Sequence, residues 1–296
     1  MKLNKEEFDI LSIIATEKGK ITNNTLSKKI RYTVKQIEKI EESLIQKKYL
    51  KNNIITNKGL KALEPYRVKR AIFMAAGFGS RMIPITLNTP KPLVRVNGTR
   101  IIDTLLDACI KAEIEEIYIV RGYLWEQFDQ LLYKYPMIKF IENKSYNKTN
   151  NISSIMVAKK YLKNSYVFEA DLYLSNPNLI TKYQYSSNFL GIKMKKSDDW
   201  CFTLKDGYID YQGIGGVNCY QEVGIAYVDH KTATQYVKDL NKHYKTKEGK
   251  NCFWDYLLFN TFKEHFKFRI RECNKKDVVE IDSFNELKAI DKSYDV

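Results

Sequence analysis

The sequence has no long apolar run and few, widely separated cysteines. No stretch of its 296 residues approaches the roughly 18 uncharged apolar residues that a spanning helix needs, so we expect no membrane insertion. The five cysteines are odd in number and form no C-x-x-C pair, so their spacing predicts neither a disulfide framework nor a zinc site. The start, MKLNKEEFDI, carries acids where a signal peptide needs an apolar run, and we therefore expect a cytoplasmic protein.

Composition favours a folded protein with an uneven distribution of charge. Hydrophobic residues make up 44% of the chain and charged residues 28%, which is typical of a globular protein and argues against disorder. The net charge is +14, and residues 1–70 hold 17 Lys and Arg against 8 Asp and Glu. The basic excess therefore lies mainly in the first quarter of the chain.

That first quarter has the pattern of a small helical domain. Apolar spacing predicts helices over residues 5–17, 22–30 and 33–50, and a short hairpin then turns at Asn52-Asn53. A helix-turn-helix followed by such a hairpin resembles the winged-helix modules of bacterial regulators. We therefore divide the chain into a winged helix-turn-helix domain, residues 1–65, and a second domain, residues 66–296.

The residues of the third helix do not decide what kind of partner this domain binds. Lys35 and Lys39 could meet DNA phosphates, whereas Glu38, Glu41 and Glu42 on the same helix would repel them. Such a helix fits DNA binding or a docking or dimerisation role. The sequence predicts no oligomeric state.

Beyond Pro65 strands and helices alternate. The run RAIFMAAG (residues 70–77) is typical of a buried parallel strand that leads into a phosphate-binding turn. Further strands are predicted at 115–120, 137–142 and 165–171, with helices at 101–112, 124–134 and 152–162. This alternation predicts an α/β fold with a Rossmann-like, mixed and mostly parallel sheet.

The richest segment is MAAGFGSRMIPITLNTPKPLVRVNG, residues 74–98. Its small residues leave backbone N–H groups free to line a triphosphate after the first strand. Arg81 adds a charged fork for the outer phosphates, and Lys91 lies between two prolines that hold its ammonium in one direction, suited to the α-phosphate. The predicted phosphate-binding residues are Ala75, Ala76, Gly77, Gly79 and Ser80.

The motifs AAG-x-G-S-R, P-x-T and P-K-P-L-V resemble the signature of the nucleotidyltransferase family that activates sugar phosphates and phosphocholine. Further segments look most like the bacterial CTP:phosphocholine cytidylyltransferases: GYLWEQF, TNNISSI, FEADLYL, FWDYLLF and VEIDSFNEL. The resemblance spans residues 70–291. It implies that CTP and phosphocholine give CDP-choline and pyrophosphate by in-line attack on the α-phosphate, with Mg²⁺ as cofactor.

Two aspartates follow predicted strands. Asp171 follows YVFEA and Asp282 follows VVEI, at the carboxyl ends where ligands of parallel sheets collect. The resemblance implies that both ligate Mg²⁺. A strand-end aspartate can also cap the next helix, and that alternative stays open.

The resemblance also places Tyr123, Asn151 and Ser154 near the nucleotide. Asn and Ser before a helix are ordinary caps, so the sequence leaves both interpretations open. Cytosine preference is implied by the resemblance alone, because in this family the backbone around residues 75–77 contacts the base.

Aromatic residues carry the prediction about the second substrate. A quaternary ammonium donates no hydrogen bond and is held by aromatic faces with a carboxylate nearby. Tyr173, Trp200, Trp254 and Asp255 could build such a box, although a tryptophan can equally belong to the core.

Two other functions remain compatible with these residues. A sugar-1-phosphate uridylyltransferase or thymidylyltransferase shares the glycine-rich motif and would differ in the aromatic box. A DNA-binding regulator could use the second domain only to sense the same ligands. The set Arg81, Lys91, Asp171 and Asp282 favours catalysis over sensing alone.

Overall fold

The computed structural model describes residues 2–17 and 21–295. Internal contacts divide the chain into two compact units, Met1–Val68 together with Lys182–Tyr185, and Lys69–Thr181 together with Ser186–Val296. The predicted boundary lies after residue 65, close to the observed one, whereas the return of Lys182–Tyr185 to the first unit has no counterpart in the prediction.

The first unit is built from short helices and a hairpin. The side chains of the cap residues Asn4 and Thr33 each accept a hydrogen bond from the backbone N–H three residues on. The side chains of Glu7 and Gln36 in turn accept hydrogen bonds from the backbone N–H groups of these cap residues. These capping boxes fix where two of the helices begin. The elements are α1 (Lys5–Thr16), α2 (Asn23–Lys29), α3 (Val34–Gln46), β1 (Leu50–Lys51), β2 (Ile54–Ile55) and α4 (Asn57–Leu63).

Apolar faces of these elements meet in one core, to which Leu11, Leu26, Ile37, Leu44 and Leu63 each contribute a fully buried side chain. Burying such a side chain stabilises a fold by about 1.5–3 kcal/mol. The helices and the hairpin lie close to their predicted positions. The winged-helix interpretation itself stays a prediction.

One of the three acids of α3 that were expected to repel DNA phosphates is buried. Glu41 is buried and accepts a hydrogen bond from Asn23 Nδ2 at 2.8 Å. Burial raises the pKa of Glu41 above its ordinary value. Glu38 and Glu42 remain exposed, so they still oppose DNA binding by this helix.

The second unit shows the predicted alternation of strands and helices, although Trp125–Tyr133 forms a 3₁₀ helix. Its strands are β3 (Arg70–Ala75), β4 (Arg95–Val96), β5 (Thr99–Arg100), β6 (Glu116–Arg121), β7 (Ile138–Glu142), β8 (Ser165–Glu169), β9 (Leu172–Leu174), β10 (Asn188–Lys205), β11 (Tyr208–Val228), β12 (Arg269–Cys273) and β13 (Val278–Glu280). Its helices are α5 (Ile101–Lys111), α6 (Ile152–Ala158), α7 (His230–His243), α8 (Lys247–Asn251) and α9 (Phe284–Ile290).

The main sheet has the order β12-β10-β11-β8-β3-β6-β7. Strand β3 pairs in parallel with β6 and β8, β6 with β7, and β10 with β12, whereas β11 is antiparallel to both β10 and β8. Ile72 in β3 lies opposite Tyr118 on one side and Val167 on the other. The sheet confirms the mixed, mostly parallel α/β fold predicted for this part of the chain.

The hairpin of β10 and β11 was missed by the sequence analysis. Its turn is Asp206-Gly207, and both residues have positive φ, at 52° and 76°. Asp-Gly favours this two-residue turn because glycine adopts positive φ without strain. The pairing contains several register shifts, including one between Ser197 and Trp200.

The sheet brings polar segments to one edge. Strands β3, β6 and β8 end there at Ala75, Arg121 and Glu169, and carboxyl ends of parallel strands are where ligands collect. Within the described residues, no helix has the length and apolar character that crossing a membrane requires.

Candidate active site

The loop after β3 leaves open space beside its backbone. A Cβ added to Gly77 would meet no heavy atom within 4 Å, and Gly77 lines the main cavity. Gly79 has φ 64°, and Thr86 Oγ1 donates a hydrogen bond to its carbonyl at 2.8 Å. The backbone N–H of Tyr123 donates to the carbonyl of Ala76 at 3.1 Å. Hydrogen bonds from Thr86 and Tyr123 therefore fix the loop, while the space beside Gly77 is open to the cavity.

Lys91 connects two aspartates that are distant in sequence. Its Nζ donates to Asp171 Oδ2 at 2.7 Å and to Asp282 Oδ1 at 2.8 Å, and Lys91 is only 8% exposed. Burial alone would lower the pKa of Lys91, but the charges and hydrogen bonds of the two aspartates outweigh it and raise that pKa. The ammonium is therefore protonated and fixed between two carboxylates.

Arg81 lies at a more exposed position in the same cavity. Its Nη2 donates to Asp282 Oδ1 at 2.7 Å, while 69% of its side chain remains accessible. Asp282 thus accepts hydrogen bonds from both cations with the same oxygen. An exposed guanidinium can turn toward an anionic ligand at little cost in desolvation.

A second group of acids could hold a divalent cation. Carboxylate oxygens of Glu169, Asp171 and Glu280 all lie within 4.8 Å of one another. Asp171 Oδ1 is buried without a hydrogen-bond partner, as expected of an oxygen that can ligate a cation. The set includes Asp171 from the predicted metal pair but replaces Asp282 by two glutamates.

These acids and Glu222 are costly to ionise together. Desolvation raises the pKa values of Glu169 and Glu222 well above the ordinary range. The charge of Asp255 adds to the effect in both, and the charge of Asp171 adds to it in Glu169. Desolvation and the charge of Asp171 raise the pKa of Glu280 to about 8, although this residue is still exposed to solvent. The group as a whole favours protons or a bound cation.

The segment before α6 lines the cavity with amides and hydroxyls. Asn143 Nδ2 donates to the hydroxyls of Ser153 and Ser154 at 2.9 and 3.1 Å. Asn151 lines the cavity too, and its Oδ1 accepts the backbone N–H of Trp254 at 2.9 Å. Asn151 does not cap α6 with its side chain, so the capping alternative does not hold there.

The predicted aromatic box is only partly assembled. Trp200 lines the cavity, where its ring meets Phe253 edge to face at 5.6 Å. Trp254 is 2% exposed and stacks on Phe189 in the core, which corrects the expectation that it faces the substrate. Tyr173 is in β9 and packs against the cluster of Met82 and Ile281, away from the cavity lining.

Tyr123 is also absent from the described lining of the cavity. Its ring packs on Phe78 at 5.2 Å, and its hydroxyl donates to the carbonyl of Thr86 at 2.9 Å. Tyr123 therefore supports the glycine-rich loop from behind. Asp255, by contrast, lines the cavity as predicted and is buried.

The cavity encloses about 530 Å³, enough for a nucleotide together with part of a small second substrate. The sequence-predicted residues that line it are Ala75, Ala76, Gly77, Gly79, Ser80, Arg81, Lys91, Asn151, Ser154, Asp171, Trp200, Asp255 and Asp282. The α/β sheet therefore gathers most of the candidate site from separate segments of the chain.

Sequence reasoning missed several lining residues. Glu169 and Glu280 each lie two residues before a predicted aspartate, and residues at this spacing share one face of a strand. The E-x-D spacing was thus an available signal. Gln212 and Glu222 are on β11, whose hairpin was not predicted, so nothing in their local sequence singled them out.

Comparisons with known proteins identify the family. The family described as nucleotidyl transferase matches residues 70–205. The 2-aminoethylphosphonate cytidylyltransferase of Lancefieldella rimae is 38% identical over 228 residues, which are 76% of this chain and 92% of that protein. The chain belongs to the nucleotidyl transferase family.

Two further comparisons place this nucleotidyl transferase among similar proteins. The choline-phosphate cytidylyltransferase of Streptococcus pneumoniae is 31% identical over 75% of this chain and 97% of that protein. The solved structure of the CTP:phosphocholine cytidylyltransferase from the same organism superposes with a TM-score of 0.70 at 30% identity, over 77% of this chain and 99% of that one. Fold and family therefore agree.

The open space at Gly77 predicts that a substitution there weakens ligand binding without lowering the stability of the fold. Gly77→Ala should unfold at the wild-type temperature but lose at least about tenfold in affinity for a nucleoside triphosphate, because its methyl group occupies the space beside the phosphates. Calorimetric titration and thermal unfolding measure the two effects.

Gly79→Ala provides the contrast. Its Cβ would lie 3.0 Å from Lys91 Cβ at a positive φ, so this variant should lose stability as well as affinity. Wild-type affinity in a folded Gly77→Ala protein would contradict the assignment of the loop.

The raised pKa of Glu280 predicts a pH-dependent stability. The unfolded glutamate titrates near its ordinary value of 4.5 and the folded one near 8, so the folded state binds more protons between these values. The contribution of Glu280 to the free energy of unfolding without ligand should therefore be fully present below about pH 4.5. It should be lost as the pH rises through 8.

Glu280→Gln should make the stability of the protein depend less on pH. At pH 8.5 in EDTA we expect its unfolding temperature to exceed that of the wild type by about 2–4 °C, after allowance for solvent screening, and to match it at pH 5. The exposed Glu264→Gln is the control. An unchanged slope in Glu280→Gln would contradict the titration assigned to this carboxyl.

Proposed function

We propose that this nucleotidyl transferase moves a cytidylyl group from CTP to a small phosphate or phosphonate and releases pyrophosphate. An oxygen of the acceptor attacks the α-phosphorus in line, the new P–O bond forms, and the bond to the bridging oxygen of the β-phosphate breaks. The acceptor is anionic at neutral pH, so no protein base is needed. Positioning and charge neutralisation then account for catalysis.

The observation that carries this proposal is the position of Lys91. Its ammonium is in the cavity that the glycine-rich loop lines, fixed by Asp171 and Asp282. A buried, protonated lysine held from two sides can stabilise negative charge at the α-phosphate with little reorganisation. It contacts the two strand-end aspartates by direct hydrogen bonds, which also hold the two carboxylates near each other.

Arg81 and the loop backbone fit the departing pyrophosphate. Gly77 and Gly79 leave room for phosphate oxygens close to the backbone. Arg81 is exposed and paired at one oxygen of Asp282, so its guanidinium can exchange this contact for a bidentate contact with phosphate. These groups keep the leaving group in line with the attacking oxygen.

A Mg²⁺ cofactor fits the carboxylates of the cavity. Glu169, Asp171 and Glu280 would hold it, with Asp282 next to Asp171 across Lys91. Their hard oxygen ligands and the unpartnered Asp171 Oδ1 suit this ion. When bound, Mg²⁺ supplies positive charge against the triphosphate.

CTP as the nucleotide is supported by the relatives, since the named enzymes of Lancefieldella rimae and Streptococcus pneumoniae are cytidylyltransferases. Ser154 lines the cavity and accepts a hydrogen bond from Asn143, so its own proton is available to a base acceptor. Their named acceptors, 2-aminoethylphosphonate and choline phosphate, both combine a phosphorus oxyanion with a cationic nitrogen. Phosphocholine is therefore one candidate among acceptors of this kind.

Replacing Lys91 should abolish most of the activity. Lys91→Ala should lower kcat by about 100-fold or more while the protein stays folded, because the lost charge stabilises the transition state. Steady-state pyrophosphate release measures this loss. The control is Lys134→Ala, whose ammonium pairs with Asp107 on an exposed surface.

The acceptor and nucleotide are tested together. Purified protein with Mg²⁺ should release pyrophosphate from CTP, and more slowly from UTP, dTTP or ATP, when 2-aminoethylphosphonate, phosphoethanolamine or phosphocholine is present. Preferred turnover of UTP or dTTP with glucose-1-phosphate would replace the proposal by a sugar-activating enzyme. Absence of release with every pair would overturn the enzymatic proposal and favour a sensor.

A further inference from the structure

A glutamine amide joins two carboxylates at the cavity wall. Gln212 Nε2 donates to Glu222 Oε2 and to Asp255 Oδ2, each at 2.6 Å, so both amide hydrogens are used. The backbone of Gln212 is held as well, because Asn260 Nδ2 donates to its carbonyl at 3.0 Å and Asn260 Oδ1 accepts its N–H at 3.4 Å. The position of this side chain is therefore closely determined.

The other end of the same amide has no partner. Gln212 is 2% exposed, and its Oε1 is buried without a hydrogen bond although the residue lines the cavity. Exchanging the oxygen and nitrogen of the amide would set Oε1 against two carboxylate oxygens, so chemistry determines the orientation seen. A buried acceptor of this kind is satisfied by a donor from a ligand.

The charges around Gln212 specify the kind of donor. Asp255 is buried and Glu222 is partly buried, and the cationic residues among the described lining, Arg81 and Lys91, are paired with other aspartates. A neutral hydroxyl could satisfy Oε1 but would leave these carboxylates unbalanced. A ligand that carries both N–H donors and positive charge satisfies both requirements.

Building on the cytidylyl transfer proposed above, we infer that Gln212, Glu222 and Asp255 form a subsite for the primary ammonium of the acceptor and select it over a trimethylammonium. A primary ammonium has three N–H donors, enough for Gln212 Oε1 and both carboxylates. A trimethylammonium has none, so it would leave Oε1 unsatisfied.

The aromatic residues support the same choice. Trimethylammonium groups are held by several aromatic faces, and Trp254 and Tyr173 do not line this cavity. Trp200 and Phe253 line one part of it and meet edge to face. The subsite is therefore built mainly from hydrogen-bond acceptors.

The test is a series of acceptors that differ only at nitrogen. Phosphoethanolamine and its mono-, di- and trimethyl forms, the last being phosphocholine, are compared by kcat/KM with saturating CTP and Mg²⁺. We expect kcat/KM to be at least about tenfold higher for the primary amine than for the trimethyl form, because a site built for N–H donors rejects an analogue without them.

Gln212→Met keeps the length of the side chain and removes the acceptor. It should lower kcat/KM for the primary amine about tenfold or more and change that for the trimethyl form less than about threefold, so the preference collapses. Glu222→Gln should lower kcat/KM for the primary amine relative to that for 2-hydroxyethyl phosphate, whose terminal hydroxyl is uncharged. The control is Gln127→Met, at an exposed position of the 3₁₀ helix Trp125–Tyr133, which should keep the wild-type preference.

The outcomes separate the two proposals. Equal turnover of all four amines, a preference for the trimethyl form, or an unchanged preference in Gln212→Met would overturn this subsite while leaving cytidylyl transfer intact. No pyrophosphate release from CTP with any acceptor would overturn the proposed function, and this inference with it.

Discussion

The candidate site depends on the ion pairs of Lys91 with Asp171 and Asp282. They join a proline-flanked turn to the segments after β8 and β13, which are 80 and 191 residues away along the chain. Removing one member of such a buried group leaves the others uncompensated, which costs more than the pair itself contributes. The glycine-rich loop and the acidic residues are therefore held around one ammonium.

The acids of the cavity extend this argument. Glu169, Asp171, Glu222, Asp255 and Glu280 place more negative charge in the cavity than Lys91 and Arg81 can balance. The raised pKa values of Glu169, Glu222 and Glu280 express the cost of this imbalance, which bound cations would relieve. A ligand that carries positive charge relieves this cost, so the cavity favours cationic ligands over neutral ones.

Much of the site was visible in the sequence because it lies in one continuous motif. Residues 74–98 contain the glycine-rich loop, Arg81 and Lys91, and their types and spacing already indicate phosphate chemistry. The strands that lead to Asp171 and Asp282 were recognisable as apolar runs. The aromatic box was only partly correct for a physical reason. A tryptophan gains as much from a core as from a ligand, and Trp254 packs on Phe189 whereas Trp200 and Asp255 line the cavity.

The sequence by itself determined the α/β character of the second unit, the phosphate-binding loop and the cationic residues beside it, because each depends on neighbours within about 25 residues. Only the tertiary structure decided that Glu280 joins Glu169 and Asp171, and that Gln212 bridges Glu222 and Asp255. These groups belong to strands paired across a long, irregular hairpin or to segments far apart in the chain. The register and order of the strands bring these groups together, and local side-chain patterns contribute little to either.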